Sequence, residues 1–84
     1  LKDAIINSGM RTIVVYFNAD LGQNASFEFT ANYSKFSNNV KILKDRVYVT
    51  MTNDEALYNV AYNGFSLKIS NNESEIRINR VGMY

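Results

Sequence analysis

The sequence predicts a mainly β fold, all-β or α+β. It reads as an antiparallel meander of about six or seven strands, curled into a small roll or barrel, with a short N-terminal helix. Three observations carry that reading. Apolar and polar residues alternate with period two along much of the chain, the mark of strands with one buried face. The alternation leaves one face of each strand polar, which suits antiparallel sheets, since parallel sheets are covered on both faces. The chain is one small domain, 1–84, whose 46% hydrophobic residues are enough for a core.

The elements follow in order. Leu1, Ala4 and Ile5 share a helical face and Gly9 is a natural stop, so 1–8 reads as a short helix. Ile13, Val15 and Phe17 alternate with Val14 and Tyr16; Phe27, Phe29 and Ala31 alternate with Ser26, Glu28 and Thr30. These two strands, 12–18 and 25–31, are expected to form a hairpin, with 20–24 in its loop. From 40 to 81 the chain reads as a meander. A turn at Lys44-Asp45 sets Ile42 against Val47 and Val40 against Val49. A loop at 53–56 sets Met51 against Tyr58. Asn63-Gly64 is the strongest two-residue hairpin signal, because a type I′ turn needs positive φ at both central residues. Taken as the turn, it sets Val60 against Leu67 and Tyr58 against Ile69. The competing reading makes Asn53-Asp54-Glu55 a helix start and Gly64 its C-terminal cap. A final turn at 71–74 sets Ile69 against Ile76 and Leu67 against Ile78. All four registers bury one face, with Phe29, Val49, Val60 and Leu67 in the core; a slip of one residue would turn a whole apolar set to solvent.

Composition removes several chemistries. Cys and His are absent, so thiol nucleophiles, disulfides, imidazole bases and the usual zinc ligands are excluded. No phosphate-binding loop is present, and the close acidic pairs Asp54/Glu55 and Glu73/Glu75 fall at expected turns. No catalytic residue, metal site or cofactor is expected. The longest apolar run, 13–17, is far short of the ~20 residues of a membrane-spanning helix, and no signal-peptide pattern opens the sequence. The expected location is cytoplasmic, without membrane association. The twelve Asn fit an AT-rich coding genome, such as that of a low-GC bacterium, a phage or a mobile element. They also make the three Asn-X-Ser triplets, at Asn24, Asn32 and Asn72, unremarkable.

The candidate binding site lies on the polar face of the expected meander. Its registers place Thr50, Asn59, Lys68 and Arg77 in one row, and Lys41 beside Tyr48 in the next. Lys68 and Arg77 would stand directly opposed, an arrangement that costs stability unless an anion sits between them. Lys35, Lys41, Lys44 and Arg46 make 35–46 locally basic, with Tyr33 and Phe36 close by. The site residues so assigned are Lys41, Tyr48, Asn59, Lys68 and Arg77. The sequence therefore reads as a non-enzymatic interaction module for a protein partner, with six Tyr available for an interface. The alternative is a single-stranded nucleic-acid binder, using cations and aromatics on a sheet face. A homodimer through an exposed strand edge is also expected.

Overall fold

The computed structural model describes residues 2–31, 34–35, 40–73 and 75–84. The chain is mainly β, with a short N-terminal helix, as the alternation predicts. The described strands form two open antiparallel sheets and not a closed barrel. Helix α1 (Lys2–Asn7) leads into β1 (Thr12–Phe17), β2 (Ser26–Ala31), β3 (Ser34–Lys35), β4 (Val40–Leu43) and β5 (Arg46–Thr50). Helix α2 (Asp54–Asn63), β6 (Ser66–Ser70) and β7 (Ile78–Met83) complete it. One sheet has the order β4-β5-β1-β7, the other β3-β2-β6.

The β4–β5 hairpin has the expected register, with Val40 opposite Val49 and Ile42 opposite Val47. Lys44 takes the left-handed conformation in its turn. The expected hairpin of β1 with β2 does not form; these strands lie in different sheets. Their apolar sides meet across the core instead, with the Phe17 and Phe27 rings 6.1 Å apart. The connection between them is fixed by Leu21, fully buried, whose N–H donates to the Lys44 carbonyl at 2.9 Å. A buried anchor of this kind lets the chain cross from one sheet to the other.

The larger correction concerns 54–63, expected as a strand and found as a helix. Asn53 is its N-cap: extended backbone, with Oδ1 accepting from the Ala56 N–H at 2.7 Å. Asp54 and Glu55 occupy the first turn, where negative charge favours the helix dipole. Ala56, Leu57 and Val60 are buried, the spacing of one helical face. Tyr58 and Tyr62 stack one turn apart, with ring centroids separated by 5.5 Å. Asn63-Gly64 is therefore not a hairpin turn. Gly64 ends the helix at φ 80° and ψ −172°, and its N–H donates to the Val60 carbonyl at 3.0 Å. A side chain with a Cβ is strained at such angles.

With the helix in place, β6 and β7 find other partners. Strand β6 pairs with β2, so Leu67 meets Phe29 and Ile69 meets Phe27. Strand β7 pairs with β1, with Val81 opposite Val15 and a register shift between Tyr16 and Phe17. The expected pairings of Leu67 with Ile78 and Ile69 with Ile76 are thus replaced. The core lies between the sheets. Ile13, Val15 and Phe17 of β1 and Val47 and Val49 of β5 face Phe29 and the buried side of α2. Phe29 stacks on Phe65 at 4.8 Å. Of the expected core residues, Phe29, Val49 and Val60 are buried, and Leu67 is half-buried against them. Arg11 ties the two helices together, donating to the Ile6 carbonyl at 3.0 Å and to Asp54 Oδ1 at 3.3 Å.

Candidate functional site: the outer face of the four-stranded sheet

The sheet β4-β5-β1-β7 has one side on the core and one side turned outward. Directly paired residues share a face, so the register gives the outward set by rows. Lys41, Tyr48, Val14 and Gly82 form one row; Leu43, Arg46, Tyr16 and Arg80 form the next. Thr50 and Thr12 begin a third, their hydroxyls 3.5 Å apart, and Tyr84 completes it through paired backbone bonds with Thr12. This face carries three cations and three tyrosines. None of the eight Asp and Glu occupies an outward position on its strands; the nearest, Asp45, lies in the β4–β5 turn.

The side chains are ordered by one another. Tyr16 stands at the centre, with the Arg80 guanidinium 4.1 Å and the Arg46 guanidinium 5.0 Å from its ring centroid. Both distances lie within cation–π range, so the ring holds two cations over the sheet. Asp45 steadies Arg46 from the turn at 3.4 Å. The Tyr16 and Tyr84 hydroxyls are 3.0 Å apart. Gly82 makes that meeting feasible: a Cβ built there would sit 2.8 Å from the Tyr84 ring. Tyr84 thus lies across the glycine to reach Tyr16.

This arrangement moves proton affinities in opposite directions. The hydrogen bond from Tyr16 holds the Tyr84 phenol below its ordinary value, and Arg80 pulls the same way. The Tyr16 phenol is raised, first because it hydrogen-bonds Tyr84 and then by loss of hydration. The Arg46 guanidinium is held more firmly charged, chiefly by its hydrogen bond to Tyr48. Arg46 therefore stays charged at any physiological pH.

Two shallow depressions open on the same face and share Thr12 and Tyr48. One, of about 650 Å³, lies among Lys41, Leu43, Tyr48 and Thr50. The other, of about 370 Å³, lies among Val14, Tyr16, Tyr48 and Tyr84. Tyr48 is the wall between them.

Of the five residues singled out from sequence, the structure brings two together. Lys41 and Tyr48 are cross-strand neighbours on this face. Asn59 is on α2. Lys68 is on β6, in the other sheet, opposite Glu28. Arg77 precedes β7, where its backbone N–H donates to Asn18 Oδ1 at 2.6 Å. The expected opposition of Lys68 and Arg77 does not exist, and no anion is needed to relieve it. Tyr33 and Phe36, expected beside the basic segment, lie outside the described residues. Sequence reasoning missed Tyr16, Arg80 and Tyr84 as members of the site. Their signal was present in the alternation of Arg80, Gly82 and Tyr84 with Val81 and Met83, but the wrong partner strand hid it.

Compared with known protein families, with characterised proteins and with solved structures, the chain matches none. The site thus has to be read from its own chemistry. Among the described residues no three His, Cys, Asp or Glu are placed to hold a metal ion, and no helix is long and apolar enough to cross a membrane.

Proposed function

We propose that this chain is a binding module for single-stranded nucleic acid, acting through the outer face of β4-β5-β1-β7. The observation that carries the reading is the separation of charge: a chain of formal net charge +1 places Lys41, Arg46 and Arg80 on one sheet face whose outward strand positions hold no carboxylate, the Asp45 that pairs with Arg46 lying in the β4–β5 turn. Phosphates need such a surface, and exposed aromatic rings give bases something to stack on. Tyr84, 53% exposed, and Tyr48, between the two depressions, are the stacking candidates. Tyr16 has a different part, since its ring is already engaged by guanidinium groups. It positions Arg46 and Arg80 before the ligand arrives, which lowers the entropy cost of binding. An RNA or DNA strand laid across this face needs no sequence-reading contact, so broad sequence tolerance is expected. A protein partner would value the same tyrosines, but charge segregation on this scale favours a polyanion.

The test is anisotropy of a labelled oligothymidylate at several salt concentrations. With three phosphates neutralised, log Kobs should fall against log salt with slope about −2, at roughly 0.7 per contact. Arg80→Ala should flatten the slope by about 0.7, while Lys68→Ala, on the other sheet, should leave it unchanged. Absence of binding at low salt, or equal effects of the two substitutions, would overturn the reading.

A further inference from the structure

Strand β7 is an open edge of the four-stranded sheet: among the described residues it pairs on one side only, with β1. Thr12 and Tyr84 exchange both backbone bonds, at 2.8 Å each. The alternation of an antiparallel ladder then turns the N–H and C=O of Val81 and Met83 away from β1, toward the free side. Natural edges are guarded by Pro, by Lys, by short length or by a charge facing outward. Strand β7 runs for six residues, has no Pro and no Lys, and carries one charge, Arg80. That charge does not guard the edge, because its guanidinium is folded back over Tyr16 of β1. Ile78 and Val81 are 57% and 47% exposed, although Val15, opposite Val81, is fully buried. The core's cover thus thins along β7, where Met83 alone packs against it.

We propose that two copies of this chain pair through β7, antiparallel and about a two-fold axis, making one continuous eight-stranded sheet. The edge complements itself. Centred on Val81, the pairing sets Val81 against Val81 of the second copy and Arg80 against Gly82, over which the Tyr84 ring lies. No like charges face directly, and the exposed valines cover each other. An isologous contact of this kind closes at two copies and does not propagate. The outer faces then run on into each other, with Arg80 and Tyr84 of both copies at the centre. The pairing itself does not depend on what that face binds.

Sedimentation of the full chain without any ligand tests it, from micromolar concentration up to about 1 mM, the weak end of specific association. The expected result is reversible formation of a species of twice 9.6 kDa. Val81→Pro removes an N–H that β1 does not use, and Val81→Lys adds a charge beside the free edge. Each should give a folded monomer. A wild-type monomer throughout, or a dimer that survives in a folded variant, overturns the proposal. Should neither variant fold, amide exchange in the wild type decides it. Val81 and Met83 amides that become protected as concentration rises support pairing; amides that exchange equally fast at all concentrations overturn it.

Discussion

Truncating Leu57 to Ala separates the helix from the strand that hydropathy alone suggests for 54–63. In the structure Leu57 is fully buried, in the core cluster with Ala56 and Val60. In a strand carrying Tyr58, Val60 and Tyr62 inward, Leu57 would point to solvent. Removing a buried Leu side chain costs about 2–5 kcal/mol, the lost transfer energy plus the cavity left behind. A domain of 84 residues has in total about 4–13 kcal/mol, at roughly 0.05–0.15 per residue. A mid-range loss of ~3 kcal/mol therefore removes between a quarter and most of the stability. For a domain of this size each kcal/mol lowers Tm by about 4–8 °C, so the expected fall is roughly 12–24 °C. Thermal denaturation followed by far-UV circular dichroism reads it. Ala61→Ser is the control, because Ala61 is exposed on the same helix and should change Tm little. A Leu57→Ala protein melting within about 3 °C of wild type would refute the burial assigned to this helix.

Other perturbations test single features. Gly64→Ala should cost about 1–3 kcal/mol from backbone strain alone, since nothing lies within 4 Å of the added methyl; denaturant titration measures it, and a neutral result would mean the cap is misdescribed. Asn53→Ala should remove about 1 kcal/mol by leaving the Ala56 N–H without its cap, while Asn53→Asp should retain most of it. Spectrophotometric titration should show one tyrosine ionising below the ordinary phenol value of 10.0, and Tyr16→Phe should move that ionisation up by removing the donor to Tyr84. The sign for stability follows from the direction of the shift. A lowered Tyr84 adds nothing at neutral pH. Its contribution grows as pH rises from the lowered value to 10.0 and is present in full above 10.0, where the raised Tyr16 begins to work against stability.

The parts of the fold legible in the sequence are those where alternation and turn chemistry agree. The β4–β5 hairpin is one, because a two-residue turn leaves a single register that buries Val40, Ile42, Val47 and Val49 together. The segment 54–63 is not, because Ala56, Leu57, Tyr58, Val60, Ala61 and Tyr62 are dense enough to satisfy both period two and period 3.6. Asn53 broke that tie in favour of the helix, through a cap that hydropathy does not register. Partner choice was illegible for a related reason. Leu67 and Ile69 fit Phe29 and Phe27 as well as they fit Ile78 and Ile76, since apolar pattern specifies a face and not a neighbour. Charge carried the missing information. The sequence register opposed Lys68 to Arg77, whereas the real one opposes Lys68 to Glu28. The apparent like-charge clash was a symptom of wrong pairing and not the signature of an anion site. Lys41 and Tyr48 were found together because their hairpin was read correctly. Tyr16, Arg80 and Tyr84 were not, because they join the site only when β7 crosses the chain to pair with β1.

Amide chemical-shift mapping with oligothymidylate tests the central claim most directly, since it reports where on the chain a ligand sits. Titration into the labelled protein at low salt should move the amides around Thr12, Val14, Tyr16, Lys41, Arg46, Tyr48, Gly82 and Tyr84, the outward positions of one sheet. Amides of β2, β6 and α2 should stay in place, with Lys68 and Asn59 among them. Shifts centred on those elements, or no shifts at all, would contradict the assignment of the binding face.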